Sequence, residues 1–405
     1  MENAALAFSI SVLLLLSGGL LRLSTIIMAE MPPFLFFTTL AIYCVVKLDN
    51  STQFLRSEYF YGAILSAVAA YYLRSVGIVI FGAIFIHWII QREWKLASTF
   101  AAGTFLLNLP WMIRNSIHGL EGRYLGTVMT VNPWRPEEGQ ISSVGEFLDK
   151  ALVNLYDTVI RGFPETIFSF YDFNEMSRSV IMVSGIIVLA AVLYGAWKLK
   201  FKGYLLVFYI LGSIAIFMAW HGGNEVRYVW PLLPFIAFCF FYGIFKIIDW
   251  VLEQRNLKMP SFTPYVLLLL GLLYLPKLKD MRTNANQDIP AAYQNYFQLA
   301  ENIKALNGDE VVVICRKPGM FYYYSGAFVS NYPYTLDDQE MIKSFIDSKV
   351  NYVVIDQLGY GSTARYLIPA VNNNQDLFKV IAQIPNPDTY LMEFNIELAK
   401  EKLKL

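Results

Sequence analysis

The chain has 405 residues, 56% of them hydrophobic and 16% aromatic, and its 32 Lys and Arg are balanced by 32 Asp and Glu. So much Phe, Tyr, Ile and Leu with so little charge excludes an ordinary soluble domain and argues for several membrane spans. Net neutrality removes the basic face that nucleic-acid binding needs.

Apolar stretches of spanning length recur from residue 4 to residue 276. Spans are expected near 5–22, 33–48, 59–73, 76–90, 96–113, 179–198, 203–220, 228–250 and 262–276, about nine in all. Several are short for a bilayer, so kinked, tilted or re-entrant segments are expected, above all around 59–90. The first apolar run lacks a basic leader and a small-residue cleavage site, and reads as a span or the remains of one. The connections QREWK (Gln91 to Lys95), KLKFKG (Lys198 to Gly203) and EQRNLK (Glu253 to Lys258) are basic, which places them in the cytoplasm by the positive-inside rule. The segment 114–178, the loop after residue 220 and everything after Pro276 then face outward. Arg22 and Arg74 break that bias, and a positive charge on the wrong side is a candidate for binding an anion.

The outer segment 114–178 is too long for a simple connection. Within it, Val144 to Ile160 carries apolar residues at 144, 147, 148, 152, 155, 156 and 159, the stripe of an amphipathic helix. It reads either as a helix on the outer membrane surface or as a soluble helix packed on the C-terminal domain. From about Lys277 the composition becomes that of a soluble domain. Helices at 291–306 and 337–348 alternate with short strands at 310–315 and 352–356, and the tail alternates again at 377–383 and 390–394. The expected architecture is a polytopic α-helical membrane body, residues 1–276, followed by a small α/β outer domain, residues 277–405.

Four outward polar sites stand out in the body. Glu30, ahead of Pro32 and Pro33, offers a carboxylate at the membrane edge, and equally fits a helix end before proline. Arg74, in LRSVG, sits between two closely spaced spans, where a guanidinium can hold phosphate oxygens or snorkel to headgroups. Arg114 and Asn115 follow the interfacial Trp111 in LPWMIRN. The loop HGGNEVRYVWP, His221 to Pro231, packs His221, Glu225, Arg227 and Tyr228 into one tight connection, where ionisable groups are costly to desolvate and so usually handle a substrate or an ion. A local Glu–Arg pair fixing a turn is the plainer reading of the same residues. In the outer domain a strand ends at Arg316 and Lys317 before an aromatic-rich helix, and ligands of open α/β sheets collect at such carboxyl ends. Cys44, Cys239 and Cys315 lie far apart and form no metal spacing or disulfide framework. No P-loop, HExxH helix or GxSxG elbow is present, and a divalent metal would have no evident ligand set.

The strings EMPPFLF (Glu30 to Phe36), LRSVG, LPWMIRN, EVRYVWPLLP (Glu225 to Pro234), RKPGMFYYYSG (Arg316 to Gly326) and NYVVID (Asn351 to Asp356), in this order, resemble membrane glycosyltransferases of the GT-C fold. The similarity is greatest to bacterial relatives of dolichyl-phosphate-mannose protein mannosyltransferases and of the aminoarabinose transferases that modify lipid A. The resemblance implies a sugar donor carried on a polyprenyl phosphate and an acceptor that is a lipid, glycan or protein on the outer side, in a bacterial inner membrane with the active site facing the periplasm. Arginines matching Arg74, Arg114 and Arg227 would hold the carrier phosphate, and an acidic residue would act as base on the acceptor hydroxyl. Members of this group open with another span and a long outer loop that carries the catalytic acids. This chain begins after that point, so it reads either as an N-terminally truncated piece or misassigned start, the reading favoured, or as a member without the usual base, and Glu30 is left as the outward acid available. A non-catalytic membrane partner that binds glycan or protein through the outer domain is the alternative. A lipid-linked sugar transporter fits less well, because the charges lie at span ends and no two halves match.

Overall fold

The structure, a computed structural model, describes residues 4–22, 24–25, 30–48, 53–119, 123–220, 226–260, 262–305 and 311–404. His221 and Glu225 lie outside the described residues. By contacts the chain divides into two units, one of residues 1–129 and 141–285, the other of residues 130–140 and 286–405.

The first unit is helical. It contains α1 (Ala4–Leu16), α2 (Gly18–Arg22), α3 (Met31–Lys47), α4 (Glu58–Leu73), α5 (Ile78–Ile90), α6 (Trp94–Ile117), α7 (Arg123–Met129), α8 (Val144–Leu155), α9 (Gly162–Ile167), α10 (Arg178–Lys198), α11 (Phe201–Ala219), α12 (Leu233–Glu253) and α13 (Leu267–Ala285). Helix covers most of each of the nine expected segments. Among the described residues, three helical stretches are long and apolar enough to cross a membrane: Trp94–Ile117, Arg178–Lys198 and Val226–Glu253. Four shorter apolar helices accompany them, at Ala4–Leu16, Met31–Lys47, Ser75–Ile90 and Gly203–Ala219.

Their outer faces are apolar. Leu15 is 72% exposed, Leu106 62% and Ile187 58%, a pattern that water penalises and lipid does not. Inside, α10 and α12 approach backbone to backbone. A Cβ on Gly195 would lie 1.9 Å from the Cys239 carbonyl oxygen, and one on Gly243 would lie 2.2 Å from that of Ala191. Small residues serve this purpose in bilayers, where packing rather than water exclusion drives helix association.

Three expectations for this unit change. α6 runs on through Pro110 to Ile117, so Arg114 and Asn115 belong to the last turns of that helix rather than to the connection after it. A C-terminal turn accommodates Arg114 well, because its charge opposes the helix dipole. α13 likewise continues through Pro276 to Ala285, which carries the first unit past the expected boundary at residue 276. The stripe at 144–160 breaks at Tyr156–Arg161 into a wider π-turn. Its buried face is made by Ala151, Asn154, Thr158 and Val159, while Val144, Leu148 and Leu152 are exposed. The reason is polar. Asn154 donates its amide hydrogens to the carbonyls of Met218 (3.1 Å) and Trp220 (2.8 Å), satisfying groups left open at the end of α11.

The second unit is an α/β layer built on a five-stranded sheet of order β2-β1-β3-β5-β4. The strands are β1 (Val312–Ile314), β2 (Phe328–Ser330), β3 (Tyr352–Ile355), β4 (Phe378–Ile384) and β5 (Thr389–Phe394). β2, β1 and β3 run parallel, and β5 and β4 are added antiparallel. Alternating side chains feed two cores. Ile314, Val353 and Ile355 pack under α16 (Asp338–Asp347), α17 (Ile368–Asn373) and α18 (Ile396–Leu403). Val313, Cys315 and Val354 pack under α14 (Ala291–Ala305) and α15 (Pro318–Ser325).

Residues 130–140 form a strap on this unit, closed on itself by the antiparallel bridge of Thr130 with Gln140. Glu137 holds it in place: it accepts from Arg365 Nε at 2.7 Å and from the Tyr366 hydroxyl at 2.9 Å. Burial opposes the charge on Glu137, but its own backbone hydrogen bond, Arg365 and Tyr366 prevail, and its carboxyl ionises below the usual carboxylate range. A depressed pKa means that the folded form favours the anion. The hold is therefore complete above the ordinary carboxyl pKa and is lost as pH falls through Glu137's lower one. Amide hydrogen exchange over 130–140 is expected to accelerate, relative to its intrinsic rate, under acid conditions, and Glu137→Gln should show the accelerated pattern already at neutral pH. Equal protection in the variant and the parent would remove this anchor.

Candidate functional site

The opening of α3 and the turn between α4 and α5 build the site in the first unit. Glu30 occupies the position before α3, where an acidic side chain can bond the first free amides. It does not cap. Its carboxylate reaches Arg74 instead, Nη1 to Oε1 at 3.9 Å, and the Arg74 guanidinium also lies 5.8 Å from the ring centre of Phe34, one turn further along α3. Acid and ring thus come from one helix end and hold one cation.

Arg74 itself ends α4 in an extended conformation, φ −147° and ψ 131°, and is followed at once by a tight helical turn, Ser75–Gly77. That turn demands glycine at its end. A Cβ on Gly77 would meet backbone atoms of Ala70 and Tyr71 at 2.7 Å, a clash that no rotamer relieves. The string LRSVG therefore encodes both the charge and the close chain reversal that presents it. The Arg74 side chain is only 14% exposed, whereas that of Glu30 is 41% exposed.

Glu30, Arg74 and Tyr228 line one cavity of about 590 Å³, with Tyr71, Val128, Phe217 and Trp220 among its other walls. Arg227 stands next to it in the turn Val226–Tyr228, 5.1 Å from the Tyr228 ring centre, with Nη2 donating to the Tyr228 hydroxyl at 3.4 Å. Glu30, Arg227 and Tyr228 all act electrostatically on Arg74. One cation and one carboxylate thus meet in a largely apolar wall, with the second cation beside it, where charge interactions are stronger than in water.

A second concavity, about 490 Å³, runs along α5 and α6 and is lined by Phe81, Gly82, Phe85, Phe105 and Met112. Tyr71 and Ile78 line both it and the charged cavity, so the two adjoin. Nothing in the sequence reading pointed to this groove. Its signal was the pairing of Gly82 with ring-bearing neighbours across two helices, which becomes visible only once the helices are packed.

The other expected site residues lie elsewhere. Arg114 stacks on its own Trp111, at 5.1 Å, on the exposed end of α6, and neither it nor Asn115 lines the charged cavity. Arg316 and Lys317 belong to the second unit. Among the described residues no group of three His, Cys, Asp or Glu side chains is placed to hold a metal ion.

Residues 2–118 match the family described as dolichyl-phosphate-mannose-protein mannosyltransferase. The matched stretch contains Glu30, Arg74, Arg114, Asn115 and both helices of the apolar groove, and it ends before Arg227. It supports a relation to membrane glycosyltransferases for this part of the chain. No curated protein matches the chain, and no solved structure does.

Proposed function

We propose that the chain transfers a sugar from a polyprenyl-phosphate-linked donor to a hydroxyl acceptor, a lipid, glycan or protein, on the outer face of the membrane. The observation that carries this reading is the Glu30–Arg74 pair in the wall of a cavity that adjoins an apolar groove. A lipid-linked sugar phosphate has the same two-part character, an anion at one end of a long hydrocarbon.

In this reading Arg74 and Arg227 hold the carrier phosphate. The bond between the anomeric carbon and the phosphate oxygen breaks, and polyprenyl phosphate leaves with the electron pair, its charge stabilised by the two fixed guanidinium groups. The acceptor oxygen bonds to the anomeric carbon and its proton passes to Glu30, the carboxylate on the same wall. Glu30 also keeps Arg74 compensated before the donor arrives, and the incoming phosphate replaces it. That exchange frees the carboxylate to face the acceptor. The basic connections at 91–95, 198–203 and 253–258 support an outward, periplasm-like side for this cavity.

The test is transfer in liposomes that contain the purified chain and a polyprenyl-phosphate hexose labelled in the sugar. Glu30→Gln is expected to slow transfer by about a hundredfold or more, as befits loss of a base, while donor binding is kept or tightened, because the phosphate no longer displaces a carboxylate from Arg74. Transfer at the parental rate would discard Glu30 as the base. Absence of any donor binding by the parent chain would discard the reading as a whole.

A further inference from the structure

The sheet of the second unit has a topological switch point. β1 and β3 are parallel neighbours, and the chain leaves their carboxyl ends toward opposite faces of the sheet. After β1 it enters α15, whose Phe321 packs in the core with Val313 and Cys315. After β3 it passes to α17, whose Ala370 packs in the core with Ile314 and Val353. Such a divergence of adjacent strands opens a gap at the sheet edge, where open α/β sheets take their ligands.

The side chains in that gap have one chemical character. Arg316, just beyond β1, lies between two tyrosines, its guanidinium 4.6 Å from the ring centre of Tyr360 and 5.6 Å from that of Tyr334. Lys317 sits 4.4 Å over the Tyr360 ring. Trp134 of the strap, 52% exposed, extends the aromatic surface, its ring 6.1 Å from that of Tyr334. Below them Asp356, at the end of β3, is 3% exposed and accepts from the Leu358 amide at 3.0 Å. Burial pushes the Asp356 carboxyl up, against the pull of that amide and of Arg316. The loop it opens, Asp356 to Thr363, carries Tyr360 between Gly359 and Gly361, and Gly359 takes the left-handed φ of +83° that sets the turn.

Two polar atoms here are unmet by protein. Arg316 Nε is buried and donates to no acceptor among the described residues. The Asn331 side-chain oxygen is buried and likewise unpartnered, while its amide nitrogen meets the Tyr334 hydroxyl at 3.3 Å. A purely structural guanidinium would have these bonds completed, since buried polar groups in native structures are almost always paired. A donor and an acceptor left open around one tyrosine describe a place for a hydroxylated ligand.

We propose that the carboxyl ends of β1 and β3 form a binding site for an anionic saccharide, whose carboxylate or phosphate is held by Arg316 and Lys317 and whose ring rests on Trp134, Tyr334 being stacked on Tyr366 and serving to hold Arg316. Guanidinium and ammonium select the oxyanion, and the aromatic face and open polar atoms select the sugar rather than a bare ion.

The full chain in nanodiscs, titrated calorimetrically with glucose 6-phosphate, glucuronate, glucose and inorganic phosphate, decides the matter. At least one of the two anionic sugars is expected to bind in the millimolar range or tighter, about tenfold or more above glucose, because a charge-assisted hydrogen bond separates them. The stronger of the two identifies phosphate or carboxylate as the recognised group. Arg316→Gln should erase the preference over glucose, and Lys317→Gln should reduce it. Should Arg316→Gln not fold, Lys317→Gln and the exposed Trp134→Ala carry the test, the latter expected to weaken both anionic sugars while leaving inorganic phosphate unchanged. Binding of neither anionic sugar, equal binding of glucose, or inorganic phosphate binding as tightly as glucose 6-phosphate would each overturn the proposal.

Discussion

Substituting Arg74 by alanine is expected to lower the affinity of the chain for polyprenyl phosphate by about one to two orders of magnitude, the worth of one or two hydrogen bonds between ionised partners. The side chain is mostly buried, it faces Glu30 at 3.9 Å, and the turn that presents it leaves no other cation of the α4–α5 connection to take its place. Arg74→Lys keeps the charge but not the planar fork, and should recover only part of the loss. A role confined to folding predicts something different: a lower melting temperature in every Arg74 variant, with donor affinity unchanged in the molecules that remain folded. Binding of the parental strength in Arg74→Ala would place the carrier phosphate away from this cavity.

The second large effect concerns the apolar groove. Gly82 lines it, and a Cβ at that position would meet nothing within 4 Å. Gly82→Phe therefore adds a ring to the groove rather than to a packed interface, so the fold should tolerate it while the groove shortens. If the groove seats the hydrocarbon of the donor, displacement of even two methylene equivalents costs about 1.6 kcal/mol, about fifteenfold in affinity. The expected result is weaker binding of a long-chain polyprenyl phosphate by that factor or more, with a water-soluble short-chain phosphate bound as before. Equal weakening of both would mean that the ring has reached the charged cavity. No change in either would place the carrier's hydrocarbon elsewhere on the helices.

Both experiments probe features that the sequence revealed unequally. Arg74 was legible because it, like Arg22, is a cation on the outward side that violates the charge bias of the connections, and because the two spans around it are closely spaced. Glu30 was legible only as an ambiguous acid before two prolines. It does stand at the end of α3 before the prolines, without a capping bond, and its pairing with Arg74 depends on where α4 ends in space. The groove gave no sign at all. Phe81, Phe85 and Phe105 read as ordinary span residues until α5 and α6 are set side by side.

The same contrast runs through the second unit. The strands at 352–355 and 389–394 were expected within a residue or two, since buried alternation is a local signal. β2, Phe328–Ser330, was missed: a three-residue edge strand has no room for a period. The strap at 130–140 was read as part of an outer connection. Glu137 docks it on Arg365 and Tyr366, more than two hundred positions away in the chain, and no local pattern announces such a partner.

By itself the sequence determined a helical, lipid-compatible body followed by a small α/β domain. Composition, hydrophobic period and turn residues are properties of neighbours along the chain, and they act before any tertiary contact forms. Only the tertiary structure decided which charges meet. Arg74 joins Glu30 rather than Arg114, and Arg316 lies between two tyrosines above Asp356. Those pairings depend on where helix ends and strand ends come to rest, and a charge carries no record of its partner in the residues beside it.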